Sequence, residues 1–275
     1  MLGSDGHACP FTVRAPDGTA IAVWGGGDGP PVVLVHGSLR AHTIFDPLVA
    51  ALRPSMTTYA IDRRGFGDSG DASSYHIDRE FDDVATVVDH VAARTGSPVT
   101  LFGHSYGAGC AMGAAARTAN VAHLVVYEPG LAISYPAAWI AANERALAAG
   151  DREAVIHAVL TDILEMPDKE VQTRRATPQW AEYLRAADTV LREARTESDW
   201  IYQAGVFARV KAQTLVLIGT ETAPALIRST LWAVAALPEA QVGVLAGHGH
   251  LACVTDPALV AERIRAFTGH KQPLR

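Results

Sequence analysis

The amino-acid sequence predicts a doubly wound α/β fold built on a mostly parallel sheet. Short, continuously apolar runs recur along the chain, and several of them are followed directly by a glycine or a proline. Segments with a helical spacing of apolar residues lie between these runs. This alternation is typical of a parallel sheet covered by helices on both faces, in which ligands bind at the carboxyl ends of the strands.

The first elements in the chain are an antiparallel hairpin and a buried strand. Residues 11–24 contain two β-like runs joined by an Asp-Gly dipeptide, which suits a tight hairpin turn. A glycine-rich segment, residues 25–29, follows and is expected to be a flexible loop. Residues 31–35 are continuously apolar and lead into His-Gly-Ser at 36–38, as expected for a strand buried on both faces and the bend after it.

The later elements alternate between strand and helix. Residues 77–95 place apolar side chains on one stripe and predict an amphipathic helix. A helix of small residues, AGCAMGAAA at 108–116, is predicted after the segment 103–107, which directly follows a strand. The runs predicted as further parallel strands are Thr57–Ile61, Val99–Phe102, Ala122–Tyr127, Thr214–Ile218 and Val242–Leu245.

A helical insertion interrupts this alternation. Residues 131–204 are rich in alanine and carry scattered charges, so we interpret them as a helical cap inserted into a core domain formed by residues 1–130 and 205–275. Trp139 and Trp200 are the first candidates for lining an apolar pocket between the cap and the sheet. The alternative that these aromatic residues only pack the cap onto the core stays open.

Composition narrows the classes of partner. The formal net charge is −6, 49% of residues are hydrophobic, and no run of Lys or Arg stands out, which argues against nucleic acid or an anionic membrane. No apolar run approaches the roughly 20 residues needed to cross a bilayer, and no leader pattern opens the chain. The three cysteines are widely spaced and predict neither disulfides nor a zinc site. We therefore expect a cytoplasmic protein, without metal or other cofactor, acting on a small molecule.

A serine with the signature of a nucleophile lies at residues 103–107, Gly-His-Ser-Tyr-Gly. A sharp turn from strand to helix requires glycine on both sides of a residue in strained backbone geometry, and it presents that side chain above the sheet. The N-terminus of the next helix favours developing negative charge, so the amide of Tyr106 is a candidate oxyanion donor. We predict that Ser105 is the nucleophile.

A serine hydroxyl needs a base to remove its proton. His248 and His250 both lie in the loop after the last predicted strand, at the edge of the sheet where Ser105 is expected. We choose His250, because the loop that follows it is long enough to swing the imidazole over the serine, and His248 stays the alternative. The bend after the first parallel strand supplies the amide of Ser38 as the second oxyanion donor.

These segments resemble the α/β-hydrolase superfamily. The matching pieces are V-H-G-S at 35–38, D-R-R-G-F-G-D-S at 62–69, G-H-S-Y-G at 103–107 and G-H-G-H at 247–250. The resemblance implies the α/β-hydrolase fold, a triad of serine, histidine and a carboxylate, and an esterase, lipase-like or thioesterase activity. In that family residues 62–69 form a loop shaped by its glycines, which implies a structural role.

The carboxylate departs from the commoner family pattern. Most relatives place an aspartate three residues after the glycine that ends the penultimate strand, and Thr222 stands there in this chain. Glu221 lies one residue early, which would turn its side chain to the other side if the strand geometry persists. Glu128, after the strand that follows the nucleophile helix, matches a position that some relatives use, including many haloalkane dehalogenases. We favour Glu128 as the triad acid and keep Glu221 as the alternative.

The predicted activity is hydrolysis of a small apolar ester through a Ser–His–Glu triad and an acyl-enzyme. A serine at position 105, in the turn at 103–107, argues against dehalogenases and epoxide hydrolases, which resemble this fold but attack with aspartate. A thioesterase, a lactonase or a carbon–carbon bond hydrolase would use the same site. A ligand-binding protein of the same fold that catalyses slowly is the alternative from a different class.

Overall fold

The computed structural model describes residues 10–131, 133, 135–199 and 204–269. Its centre is an eight-stranded sheet with the strand order β1-β2-β4-β3-β5-β6-β7-β8. β1 and β2 pair antiparallel, β2 pairs antiparallel with β4, and the remaining pairs are parallel. The strands are β1 (Pro10–Arg14), β2 (Ala20–Gly26), β3 (Pro31–Val35), β4 (Thr57–Ile61), β5 (Val99–His104), β6 (Val121–Tyr127), β7 (Gln213–Gly219) and β8 (Gln241–Leu245). The predicted doubly wound, mostly parallel fold is thereby confirmed.

Helices cover both faces of this sheet. They are α1 (Asp46–Leu52), α2 (Ile77–Thr95), α3 (Tyr106–Ala115), α4 (Ala137–Ala148), α5 (Arg152–Ala158), α6 (Asp168–Arg175), α7 (Trp180–Arg185), α8 (Ala187–Asp199), α9 (Ala204–Phe207), α10 (Pro224–Ala236), α11 (Ala252–Thr255) and α12 (Pro257–Thr268). A short 3₁₀ helix, His42–Phe45, precedes α1, and a π-helical turn, Val159–Ile163, follows α5.

Strand β3 shows why the parallel strands are continuously apolar. Val33 and Val35 pack in one hydrophobic cluster with α2 and α3. Val32 and Leu34 point the other way, into a second cluster with α1 and α12. Because successive side chains of a strand alternate between faces, a strand covered on both faces must be apolar at every position.

Helix α2 has the bounds that its apolar stripe predicts. The His76 side chain caps its first turn by accepting from the amide of Asp78, and Gly96 ends it in the left-handed region at φ 69°. The buried face of α2 also carries two acidic residues, Glu80 and Asp83. Each accepts from an arginine of the loop after β4, so the helix also fixes that loop.

The glycine-rich segment at 25–29 is only partly a loop. Gly25 and Gly26 belong to β2 and pair with Tyr59 and Thr58 of β4. A Cβ at residue 25 would lie 2.3 Å from the ring of Tyr59, so the missing side chain lets that ring lie against the strand. The expectation of a flexible loop over the whole segment is therefore wrong for these two residues.

Helices α4 to α8 lie between β6 and β7, and we call residues 135–199 the insertion. The insertion has its own hydrophobic cluster, which includes Val155, Trp180 and Leu191 and contacts the core through Leu39 and Phe66. It is also tied to the core by polar contacts near the carboxyl edge of the sheet. Within the described residues, no helix is both long and apolar enough to cross a membrane.

Candidate active site

Ser105 occupies the turn between β5 and α3. Its backbone has φ 56° and ψ −127°, a strained conformation for a residue with a side chain. The turn is tight because α3 starts against the end of β3: a Cβ on Gly107 would lie 2.2 Å from the carbonyl oxygen of His36. The glycine therefore permits a close approach that holds the serine above the carboxyl edge of the sheet.

His250 and Glu128 form a hydrogen-bonded pair beside the serine turn. His250 Nδ1 lies 2.7 Å from Glu128 Oε2. The imidazole is 22% exposed and the carboxylate is fully buried, and His250 lines the same cavity as Ser105. With Nδ1 donating to the carboxylate, Nε2 of the ring is left as a base.

Glu128 is held rigidly by the end of the neighbouring strand. Its Oε1 accepts from the amide of Gly219 at 2.9 Å and from the hydroxyl of Thr222. Its backbone has a φ of 44°, in the left-handed region, which directs the chain out of β6 at this point. Thr222, at the position where most relatives carry the aspartate, thus donates to the glutamate that faces His250.

The two rival residues lie elsewhere around the same loop. Glu221 is exposed, and its amide donates to the carbonyl oxygen of His248 at 2.9 Å. His248 Nε2 lies 3.5 Å from Asp256 Oδ2. Both residues line the cavity mouth. Among the described residues, His250 receives its carboxylate contact from Glu128.

Two aromatic residues fix the loop that carries His250. His104 is buried, its ring lies 4.5 Å from the His250 ring, and its Nε2 bonds to the His250 carbonyl oxygen at 2.8 Å. Burial is the largest cause that holds the pKa of His104 well below its usual value, so its ring is neutral. Tyr127 donates its hydroxyl proton to the carbonyl oxygen of Gly249 and accepts from the amide of Ala252.

Three bends converge on the serine hydroxyl. Ser38 and Tyr106, whose amides are the predicted oxyanion donors, both line the cavity with Ser105. A Cβ on Gly37 would lie 2.7 Å from Ser105 Cβ, and one on Gly130 would lie 3.0 Å from the Tyr106 amide nitrogen and 3.4 Å from Ser105 Oγ. The sequence predictions do not include Gly130, although its place directly after Glu128-Pro129 is a signal that could have indicated it.

His36 holds the bend at 36–38, which carries the Ser38 amide and is called the oxyanion bend. Its ring is fully buried, Nδ1 donates to the carbonyl oxygen of Gly37 at 2.8 Å, and Nε2 accepts from the amide of Arg63 at 3.0 Å. Burial lowers the pKa of His36 to about 3, with a further contribution from the charge of Arg63. This histidine is therefore neutral and joins the bend to the loop after β4.

A buried ion cluster joins the same loop to the insertion. Arg63 Nη2 lies 2.7 Å from Glu80 Oε1 and 2.5 Å from Glu193 Oε1, and all three side chains are at most 2% exposed. Burial is the main cause that raises the pKa of Glu193, and the charge of Arg63 is the main effect that opposes it. The predicted structural role of the 62–69 loop agrees with these contacts, which connect core, insertion and oxyanion bend.

The cavity above Ser105 has a volume of about 710 Å³. Trp139 does not line it: the indole Nε1 donates to Asp162 at 2.9 Å, and the ring contacts Tyr135, which does line it. Trp200, the other tryptophan predicted for this pocket, lies outside the described residues. The insertion contributes the apolar lining through Val159, Leu160, Ile163, Leu164, Met166, Tyr183 and Val190.

The titratable side chains of this site are not arranged as metal ligands. Within residues 10–131, 133, 135–199 and 204–269, no group of three or more His, Cys, Asp and Glu is placed to hold a metal ion. Cys110 and Cys253 are both buried free thiols, and burial raises the pKa of each.

An eight-stranded sheet with a strained serine after β5 and a helical insertion after β6 is the architecture of an α/β hydrolase. Residues 32–263 match the alpha/beta hydrolase family, and the chain belongs to that family. It is similar to the crystal structure of an α/β hydrolase from Sphaerobacter thermophilus, with a TM-score of 0.82 and 30% identity over 94% of this chain and 100% of that one.

Curated relatives match shorter regions. The probable oxidoreductase EphD of Mycobacterium tuberculosis is 36% identical over 100 residues, which are 34% of this chain and 17% of that protein. Lipase LipV of the same organism is 31% identical over 160 residues, 57% of this chain and 54% of that protein. The matched region thus spans little of EphD and about half of LipV.

Proposed function

We propose that this protein is a serine hydrolase that cleaves a carboxylic ester through an acyl-enzyme. The observation that carries the proposal is the shared cavity of Ser105, on its strained turn, and His250, bonded to the buried Glu128. A serine, a base and a carboxylate that orients the base are the parts required for nucleophilic acyl transfer. The similarity to a lipase supports the same class of substrate.

In the proposed reaction, Ser105 Oγ attacks the acyl carbonyl carbon while His250 Nε2 takes the hydroxyl proton. The carbonyl oxygen becomes an oxyanion, which the amides of Ser38 and Tyr106 stabilise. His250 then protonates the departing alkoxide, leaving the acyl group on the serine. Water repeats the sequence, with His250 taking its proton, and the acid is released. Glu128 keeps the imidazole in the correct tautomer and stabilises the imidazolium.

We further propose that the insertion acts as a cap that selects the substrate. Its apolar side chains line the same cavity as Ser105. A cavity of about 710 Å³ falls in the range that holds small organic ligands, and an apolar lining favours an acyl chain over a polar polymer. A small ester with a short or medium acyl chain fits this site.

The test combines chemical labelling with turnover. A fluorophosphonate probe should label the wild-type protein once, and a series of p-nitrophenyl esters from acetate to octanoate should show multiple turnovers. Ser105→Ala should lose both signals and keep its melting temperature, because the hydroxyl faces the cavity. Labelling that survives Ser105→Ala would refute the nucleophile assignment. Stoichiometric binding without turnover on any ester would favour a ligand-binding protein.

A further inference from the structure

Arg40 lines the catalytic cavity shortly after the oxyanion bend. Its side chain is 18% exposed. It lines the cavity that contains Ser105 and His250, and it also lines a second, smaller cavity of about 340 Å³ together with Glu182. Its one ionic neighbour is Glu182, with Nε and Oε2 3.3 Å apart, among the residues that the structure describes. No hydrogen bond to Nη1 or Nη2 is formed within that part of the chain. The outer edge of the guanidinium, which carries four of its five N–H donors, is therefore available to a ligand.

The charge of Arg40 acts on the reacting end of the cavity. Burial is the main reason that the pKa of His104 is low, and the positive charge of Arg40 lowers it further. The same charge opposes the rise that burial causes in the pKa of Cys253. The His104 ring lies 4.5 Å from the His250 ring, and Arg40 lines the same cavity as His104 and His250.

The other charged residues of the cavity are placed differently. Arg174 already has a partner, since its Nη2 donates to Glu170 Oε1 at 2.8 Å. The acidic lining residues Glu165, Glu170 and Glu221 are all exposed, which places them at the mouth. Among the charged residues described in this lining, Arg40 is thus the arginine whose Nη atoms both lack a hydrogen-bond partner, set in a cavity with many apolar lining residues.

We propose that Arg40 binds a carboxylate on the acyl part of the substrate, so that the preferred ester is a monoester of a small dicarboxylic acid. This inference rests on the proposed ester hydrolysis at Ser105. A guanidinium presents parallel donors that match both oxygens of a carboxylate, and an apolar surrounding strengthens the pair. The Tyr183 ring, whose centroid is 5.8 Å from Arg40 Cζ, supplies part of that surrounding. The acid group would therefore select the substrate and orient its acyl carbonyl toward Ser105.

The kinetic test compares esters that differ only in charge. The monoethyl esters of succinic, glutaric and adipic acid are assayed beside the matching esters in which the free acid is a neutral primary amide. For at least one chain length we expect kcat/KM for the acid to exceed that for the amide by about 10- to 100-fold, the scale of a hydrogen-bonded charge pair. Arg40→Gln should abolish this ratio. A wild-type preference for the amides, or a ratio that survives Arg40→Gln, would overturn the proposal.

Two control variants separate charge from loop position. Arg174→Gln removes a cavity-lining arginine that already has a carboxylate partner, so the acid-to-amide ratio should stay unchanged. Glu182→Gln removes the competing carboxylate while keeping an acceptor for the amide of Ala41, which Glu182 binds at 2.8 Å. The ratio should then stay the same or rise. A ratio lost equally in Glu182→Gln and Arg40→Gln would show that the loop geometry, and not the Arg40 charge, is responsible.

A binding measurement keeps the inference separate from the reaction. Calorimetry with free succinate, glutarate and adipate is carried out on Ser105→Ala and on Ser105→Ala combined with Arg40→Gln. We expect at least one diacid to bind the first protein and to lose about 10-fold or more in affinity for the second. If no ester is turned over but this difference holds, the proposed ester hydrolysis fails and the carboxylate site stands. Equal binding, or none to either protein, refutes the carboxylate site.

Discussion

The arrangement of carboxylates around His250 predicts which single substitution, at Glu128 or at Glu221, reduces catalysis. Glu128→Gln should reduce kcat on the order of 10⁴-fold, the effect of losing the oriented carboxylate in a serine-protease triad. Glu221→Gln, the matched control, should change kcat little, because its side chain is exposed. Ester turnover and thermal unfolding measured on both variants check this. A folded, active Glu128→Gln beside an inactive Glu221→Gln would reverse the assignment.

The close contacts around Gly130 lead to a second prediction about a single residue. A Cβ there would approach the Tyr106 amide to 3.0 Å and Ser105 Oγ to 3.4 Å, the space needed by the oxyanion. Gly130→Ala should therefore lower kcat by about 10²- to 10³-fold, the cost of one lost oxyanion donor, with a smaller effect on KM. Gly150→Ala is a control for introducing a methyl group where no neighbour lies within 4 Å, although its positive φ adds some strain. Unchanged kcat in Gly130→Ala would contradict the placement of the oxyanion.

Neutral buried histidines make stability depend on pH. Burial lowers the pKa of His36 to about 3 from an ordinary 6.5 and keeps that of His104 well below the same value. The unfolded chain binds more protons, so this stability is fully present above pH 6.5 and is lost as the pH falls toward the folded pKa. Titration of His36 should lower the free energy of unfolding by about 2 kcal/mol between pH 8 and pH 5, and titration of His104 should lower it further.

Urea unfolding at a series of pH values measures this loss. His36→Gln removes one of the two titrating groups and should make the profile shallower, even if the variant is less stable at every pH. A profile that is as steep in His36→Gln as in the wild-type protein would contradict the neutral, buried state of that ring.

At the scale of elements, the loop after β4 is held by a charge buried between helices α2 and α8. Arg63→Met should destabilise the protein by about 3–5 kcal/mol, because it leaves the carboxylates of Glu80 and Glu193 buried without their cation. Arg195→Met, which breaks a pair with Glu144 whose side chains are 49% and 40% exposed, should cost less than about 1 kcal/mol. Denaturant unfolding measures the free energy of unfolding of both variants. Equal losses of stability would contradict the larger cost expected for the buried ion pair.

Sequence patterns predict the elements better than the contacts between them. The turn at Ser105 and the helix α2 are predictable because both are set by local spacing: glycines around one residue, and apolar side chains on one stripe. Glu128 and Glu221 follow adjacent strands, and only the three-dimensional arrangement shows which carboxylate reaches the imidazole. The place of Arg40 in the cavity lining was not predictable for the same reason, since the chain nearby carries no pattern that distinguishes it from a surface arginine.

At the scale of the whole molecule, the insertion should set chain-length preference without changing reactivity. Leu160→Ala and Leu164→Ala enlarge the apolar side of the cavity and should shift the ratio of kcat/KM for octanoyl over acetyl esters by several-fold toward the longer chain. Trp139→Ala is the control, because its indole lies outside the cavity and bonds to Asp162. The rate of fluorophosphonate labelling should stay within about threefold of wild type in all three variants. A shift of this ratio in Trp139→Ala alone would show that Trp139, and not Leu160 or Leu164, lines the part of the cavity that holds the acyl chain.

The ion pair between Arg63 and Glu193 also has a consequence for how molecules reach the cavity that contains Ser105. To move the insertion away from the core at this pair, a guanidinium and a carboxylate would have to separate in surroundings that contain almost no water, at a cost of several kcal/mol. That pair therefore holds the insertion to the core at this point, whereas Glu165 and Glu221, which also line the cavity, are exposed. We expect substrates to enter and products to leave between Glu165 and Glu221. Access to the cavity would then be controlled by the exposed side chains there and not by a hinge in the insertion.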